Sequence, residues 1–310
     1  MTIGRPTVNI FEFQTQQHKG GLYELRKKVT VNDTQINVYT EGKGDITIVF
    51  LSGGAVTAPV LEYKCLYSKM SHKYRIAVVE KAGYGFSGSA KTERTVENIA
   101  EESREALRLA GVHPPYVLAP HSYSGFEAVW WANNYPDEVK AILSIDMGIP
   151  DYAIAQEKEF PKEKRMKTLE NQKKLFSAIA KQGFLAKILK NKTVNATGMM
   201  SGNHLTDEEK ALYSKLFYKN LCNSEFSQES ILMTENAQKA MEKGKPSCPC
   251  CFFISDMKGF TKNTTWREEG IRYAKACKGE YHLTDKGHMF YSVIPQETAD
   301  TFLNFLEKLG

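Results

Sequence analysis

Seven residues, Asp45-Ile46-Thr47-Ile48-Val49-Phe50-Leu51, run almost without a polar interruption and stop abruptly at Ser52-Gly53-Gly54. A segment of strand length with no polar face must be covered on both sides, which is the condition of a strand inside a parallel sheet. Similar runs follow at intervals: Tyr74 to Val79, Pro115 to Ala119, Val139 to Ile145, Cys250 to Ile254 and Glu280 to Leu283. Between them lie helical patterns. One opens at Thr95, carries Ile99, Ala106, Leu107 and Ala110 on one face, and stops at Gly111; another runs from Gly125 to Asn134 and closes at Tyr135-Pro136. Ahead of the alternation, Tyr23 to Val31, the Asn32-Asp33 turn and Thr34 to Tyr39 predict a hairpin. Strands alternating with helices predict an α/β fold with a mostly parallel, doubly wound sheet.

The alternation lapses at Pro150. From there to Gly244 the pattern is helical: an amphipathic stretch over 165–190 with Leu169, Leu175, Phe176, Ile179, Phe184 and Ile188, a Thr206/Glu209 capping box, and a helix over Ser230 to Lys243. We therefore expect a core over 1–149, a helical insertion over 150–246 and the rest of the core over 247–310. The insertion has the character of a lid. A last helix opens near Pro295, with Ala299, Phe302, Leu303 and Leu306 facing inward.

Composition narrows the function classes. Hydrophobic content of 42% and charged content of 25% exclude a disordered or fibrous chain. The net charge of +5 arises between Asp151 and Cys250, where 17 Lys and Arg face 12 Asp and Glu. Lysines such as Lys173, Lys174, Lys181, Lys187 and Lys190 fall on polar helix faces with no interleaved aromatic stripe, so a nucleic-acid partner is not expected. The uncharged stretch Ile46 to Leu61 is too short and too broken to span a bilayer, and Met1 to Phe13 has no apolar run resembling a signal peptide. Cys248, Cys250 and Cys251 crowd together, yet they lead into a buried strand without a second CxxC or a His cluster. They read as small core thiols of a reduced, cytoplasmic protein, with no metal. The Asn-x-Thr sequons at Asn32, Asn191, Asn195 and Asn263 carry no weight without secretion.

Chemistry concentrates in Pro120-His121-Ser122-Tyr123-Ser124-Gly125, between a strand and a helix. A serine on that turn is thrust above the sheet, provided its neighbours two positions away are small. Ser124 meets that demand, while Pro120 departs from the usual glycine. Gly54, at the end of the Ile46–Leu51 run, and Tyr123, next to the serine, would offer backbone amides to an oxyanion. Far downstream, His288 follows the last strand and could reach back to Ser122 as general base.

Together Leu51-Ser52-Gly53-Gly54, Gly83-Tyr84-Gly85-Phe86-Ser87, His121-Ser122-Tyr123-Ser124-Gly125, Tyr135-Pro136-Asp137-Glu138-Val139 and Gly287-His288 resemble the α/β-hydrolase superfamily. The resemblance implies an eight-stranded, mostly parallel sheet, a helical lid after the sixth strand, and a Ser-His-acid triad with Ser122 as nucleophile. Ser52 stands where a histidine is usual. The acid belongs after the seventh strand in most members and after the sixth in some. Asp256 and Asp146 are the respective candidates, with Asp146 favoured because the usual seventh-strand position falls on Lys258. The expected activity is hydrolysis of a small or medium carboxylic ester through an acyl-enzyme, without a cofactor and with a small-molecule substrate. A proline-releasing aminopeptidase using Glu157, Glu159 or Glu163, a carbon–carbon bond hydrolase, and a non-catalytic binding protein of the same fold remain alternatives.

Overall fold

A computed structural model of the chain describes residues 25–54, 56–180, 198–221, 223–257 and 265–310, with the side chains of 175–180 left aside. Eight strands form one sheet: β1 (Arg26–Val31), β2 (Thr34–Glu41), β3 (Thr47–Leu51), β4 (Arg75–Glu80), β5 (Tyr116–Ser122), β6 (Val139–Met147), β7 (Cys250–Ile254) and β8 (Glu280–Leu283). Their order is β1-β2-β4-β3-β5-β6-β7-β8. β2 runs antiparallel to both β1 and β4, and the other neighbours are parallel. The expected hairpin is present, with Asn32 and Asp33 at φ 47° and 58°, the left-handed pair that a tight two-residue turn requires.

The helices follow from the same accounting. Short α1 (Pro59–Glu62) and α2 (Lys64–Tyr67) precede α3 (Val96–Leu109), whose Thr95 side chain accepts from the Asn98 amide, and α4 (Ser124–Asn134). Between β6 and β7 lie α5 (Pro150–Gln156), α6 (Lys162–Ala180), α7 (Asp207–Asn220), α8 (Ser224–Ile231) and α9 (Met233–Ala240), with no strand among the described residues. The last two are α10 (Trp266–Ala276) and α11 (Pro295–Glu307). The Thr206/Glu209 capping box opens α7 as expected.

One expectation fails in detail. The helix expected over 230–243 is two helices, α8 beginning earlier under an Asn223 cap and α9 starting after Leu232. The break lets Glu229 of α8 and Asn236 of α9 both dock on the core. Of the apolar residues expected along 165–190, Leu175, Phe176, Ile179, Phe184 and Ile188 lie outside the described side chains, as do Lys181, Lys187, Lys190, Asn191, Asn195, Lys258 and Asn263.

Successive residues of the central strands point to opposite cores. Val49 and Leu51 of β3 pack with α3 and α4, while Ile48 and Phe50 pack with α1, α2 and α11. Phe252 and Phe253 of β7 divide in the same way. This two-sided burial is why the runs carry no polar alternation.

The helical segment after β6 is fastened by buried charge. Glu229 lies 2.7 Å from Lys81 and 3.7 Å from Arg94 and accepts from the Tyr84 hydroxyl at 3.1 Å, with all three charged side chains almost fully buried. Asn236 accepts from the Val96 amide and donates to the Arg94 carbonyl. Asn223 donates to the Gly83 carbonyl. The Gly83–Ser87 turn has its own reason for glycine: a Cβ at Gly85, where φ is 51°, would fall into the buried Glu80 carboxylate. Taking one member out of a buried ion cluster strands the remaining charges, so Glu229→Ala should lower unfolding stability by about 3–5 kcal/mol. Urea titration checks this, and a loss near that of an exposed ion pair would contradict it.

Candidate active site

Ser122 ends β5 at φ 52°, a left-handed conformation that costs a non-glycine residue about 1–3 kcal/mol and persists only where the surroundings impose it. The imposing contacts are visible. The Gly148 amide donates to the Ser122 carbonyl at 2.6 Å, and a Cβ at Gly125 would lie 2.3 Å from the Gly148 carbonyl oxygen. The Ser124 hydroxyl accepts from the His121 amide at 3.0 Å and lies 2.9 Å from the carbonyls of both Leu51 and His121, tying the elbow to the end of β3. The serine at the second glycine position therefore contributes to the turn as well as fitting it. Pro120 pairs with Leu51, the last residue of β3, so the donor that proline lacks falls where that ladder ends.

Asp146 is placed by an irregularity of β6. His121 pairs with Ile145 and Ser122 with Met147, so one residue of β6 is unmatched, and Asp146 takes φ 48° there. A bulge of this kind re-aims a side chain that a regular strand would point elsewhere. The carboxylate, only 2% exposed, is surrounded by donors. Oδ1 accepts from the Ser255 amide and the Trp266 indole, each at 2.9 Å. Oδ2 lies 2.6 Å from the Ser255 hydroxyl and 2.6 Å from Nδ1 of His288. Burial pushes the acid up, but the bonds from His288 and Ser255 outweigh it and hold the group below its ordinary value.

His288 is 4% exposed, on the loop between β8 and α11. Its ring lies 4.6 Å from that of His121 at an interplanar angle of 33°, and Trp266 stands edge-on to it at 5.9 Å. His121 Nε2 lies 3.3 Å from the His288 carbonyl. Burial, and after it the neighbouring His288, pull the His121 imidazole down to about 3, so this ring is neutral and serves as packing for His288.

The expected oxyanion loop lies beside the elbow. A Cβ at Gly53 would stand 2.6 Å from Cβ of Ser122, and one at Gly54 would meet the rings of Phe226 at 2.5 Å and Tyr123 at 2.9 Å. Only glycine lets this backbone approach so closely. Tyr123 is the N-cap of α4, where backbone amides have no partner inside the helix. Ser122, Tyr123, Gly54 and Phe226 are all half-buried, although Gly53, Ser124 and Gly125 beside them are buried. Asp256, the alternative acid, is half-buried just beyond Ser255.

Sequence reasoning missed four residues at this site. Ser255 and Trp266 hold Asp146, His121 supports His288, and Phe226 covers Gly54. Only His121 lay within a motif; the others come from distant elements and carry no local signal.

No protein-family profile matches the chain. The protein YbdG of Bacillus subtilis strain 168, described as uncharacterized, is 29% identical over 98% of this chain and 93% of its own length. Among solved structures, the epoxide hydrolase of Bacillus megaterium superposes with a TM-score of 0.65 at 13% identity, over 91% of this chain and 100% of that one. The enol-lactonase of Burkholderia xenovorans LB400 does so with a TM-score of 0.57 at 14% identity, over 91% and 100%. The chain has the α/β-hydrolase fold, which these structures share.

The Trp266 bond gives a pH signature. Asp146, held low in the folded state, contributes stability that is present above its ordinary value and lost as pH falls through its folded value. Trp266→Phe removes one donor to the carboxylate, so it should cost about 1–3 kcal/mol near neutrality. It should also move the onset of acid unfolding to higher pH. Equilibrium unfolding measured across pH checks both effects; an unshifted acid limb would count against the bond.

Proposed function

We propose that the chain is a serine hydrolase of carboxylic esters, with Ser122 as nucleophile, His288 as general base and Asp146 as the acid that orients it. The observation that carries this reading is the 2.6 Å contact between His288 Nδ1 and Asp146, which puts the remaining ring nitrogen to use as the base. His288 takes the Ser122 proton, and the Ser122 Oγ attacks the acyl carbonyl. The amides of Gly54 and Tyr123 receive the developing oxyanion. Collapse expels the alcohol with the proton returned by His288, and water then releases the acid by the same route in reverse. Asp146 balances the imidazolium that forms in each step. In this scheme Asp146, not Asp256, is the third member.

Serine at the elbow separates this chemistry from the epoxide hydrolases, which need a carboxylate nucleophile there. The aminopeptidase alternative loses support, because Glu157 is engaged by Arg165 at 2.6 Å and by the Thr234 hydroxyl. We read the helices of 150–246 as a lid over the site and the half-buried rings of Tyr123 and Phe226 as its mouth. Two aromatic rings pressed on the oxyanion loop leave little width, which favours a short acyl group.

Hydrolysis of p-nitrophenyl esters from acetyl to long acyl chains tests the reading. Ser122→Ala should reduce kcat by about 10³-fold or more while leaving the fold intact. Undiminished turnover would remove Ser122 from its role. Phe226→Ala should move the preferred acyl length upward; an unchanged preference would show that the acyl group does not pass that ring.

A further inference from the structure

A second cluster of reactive side chains lies away from Ser122, at the β7–β8 edge of the sheet. Parallel pairing sets Cys251 opposite Glu280 and Phe253 opposite His282, so all four side chains share the face covered by α11. The Cys251 Sγ, a Glu280 carboxylate oxygen and a His282 ring nitrogen all lie within 4.8 Å of one another. We propose that Cys251, Glu280 and His282 form a binding site for a borderline-soft divalent cation of the zinc class.

The donor set is the first argument. One sulfur, one imidazole nitrogen and one carboxylate oxygen match the mixed preference of zinc and are poor for magnesium or calcium, which want oxygen alone. Placement is the second. His282 stacks on Phe253 at 5.8 Å and 28°, which fixes the ring, and its Nε2 lies 2.8 Å from Glu280 Oε1, so both donors converge on one point. Access is the third. A groove of about 570 Å³, lined by Glu280, His282, Thr301, Asn304, Glu307 and Lys308, meets the cluster from the solvent side. It gives the ion an entry and room for a water as fourth ligand.

Lys308 is the competitor. Its ammonium lies 2.9 Å from Glu280 Oε2, but the side chain is 62% exposed and can yield its place to a divalent ion. Coordination exchanges the Cys251 S–H bond for a sulfur–metal bond and releases the proton to solvent. The ion would then tie edge strand β8 to β7. β8 leads directly into the loop of His288, so the tie would brace that loop from below.

The test uses the full chain stripped with a chelator and titrated with cobalt(II), whose thiolate charge-transfer band appears only when sulfur is a ligand. The wild type should show that band at one equivalent, lose it when zinc is added, and melt at a higher temperature with zinc than without. Cys251→Ser should abolish the band, and His282→Gln should weaken binding at least roughly tenfold, since even outer partners of a metal site cost that much. Lys308→Gln should tighten it, and Cys248→Ser should leave it unchanged. Absence of the band in the wild type overturns the site, as does its survival in Cys251→Ser or its loss in Cys248→Ser. If Cys251→Ser fails to fold, His282→Gln decides alone, because that side chain is 36% exposed and unchanged affinity there also overturns the site.

Discussion

The buried carboxylate of Asp146 is the group around which the rest of the site is arranged. A nearly water-free carboxylate is tolerable only when its oxygens are fully engaged. Here each oxygen has two partners, supplied by β7's exit at Ser255, by α10 at Trp266 and by the His288 loop. Three segments that follow Asp146 by 109, 120 and 142 positions are thereby held to the end of β6. The bulge that aims Asp146 is also next to the strained Ser122, whose carbonyl is bound by the Gly148 amide just beyond the same bulge. The Ser122 turn and Asp146 are therefore parts of one local distortion between two adjacent parallel strands.

A second group of buried charges does comparable work for the helices between β6 and β7. Burying Lys81, Arg94 and Glu229 together is costly unless each is paired, so the cluster tolerates little displacement of α8. Phe226 is carried on that same short helix, three residues before Glu229. Whatever sets the position of α8 also sets how closely Phe226 covers Gly54. Stability of the helical segment and the cover over Gly54 are coupled through one helix of eight residues.

Much of the architecture was legible because its signals are local. The apolar runs, the Asn32-Asp33 turn, the Thr95 cap and the Thr206/Glu209 box each depend on residues within a few positions, and each forms as expected. The break at Leu232 was not legible, since the helical pattern continues through it and only docking of Glu229 and Asn236 on the core divides it. His288 and Asp146 were legible as candidates through their places after strands. Their supports were not: Trp266 and Ser255 resemble any aromatic and any serine until the sheet brings them to one carboxylate.

The order of strands and helices, the elbow at Ser122 and the glycines at 53 and 54 were determined by the sequence itself, through period, turn chemistry and the size of neighbouring residues. Tertiary structure alone decided which acid His288 meets, since that contact joins residues 142 positions apart across two strands. It alone decided that Cys251 faces Glu280 and His282 rather than Cys248 and Cys250, because neighbours along a strand point to opposite faces while partners across it share one. Local chemistry fixes what each segment becomes; the register between distant strands fixes which side chains meet.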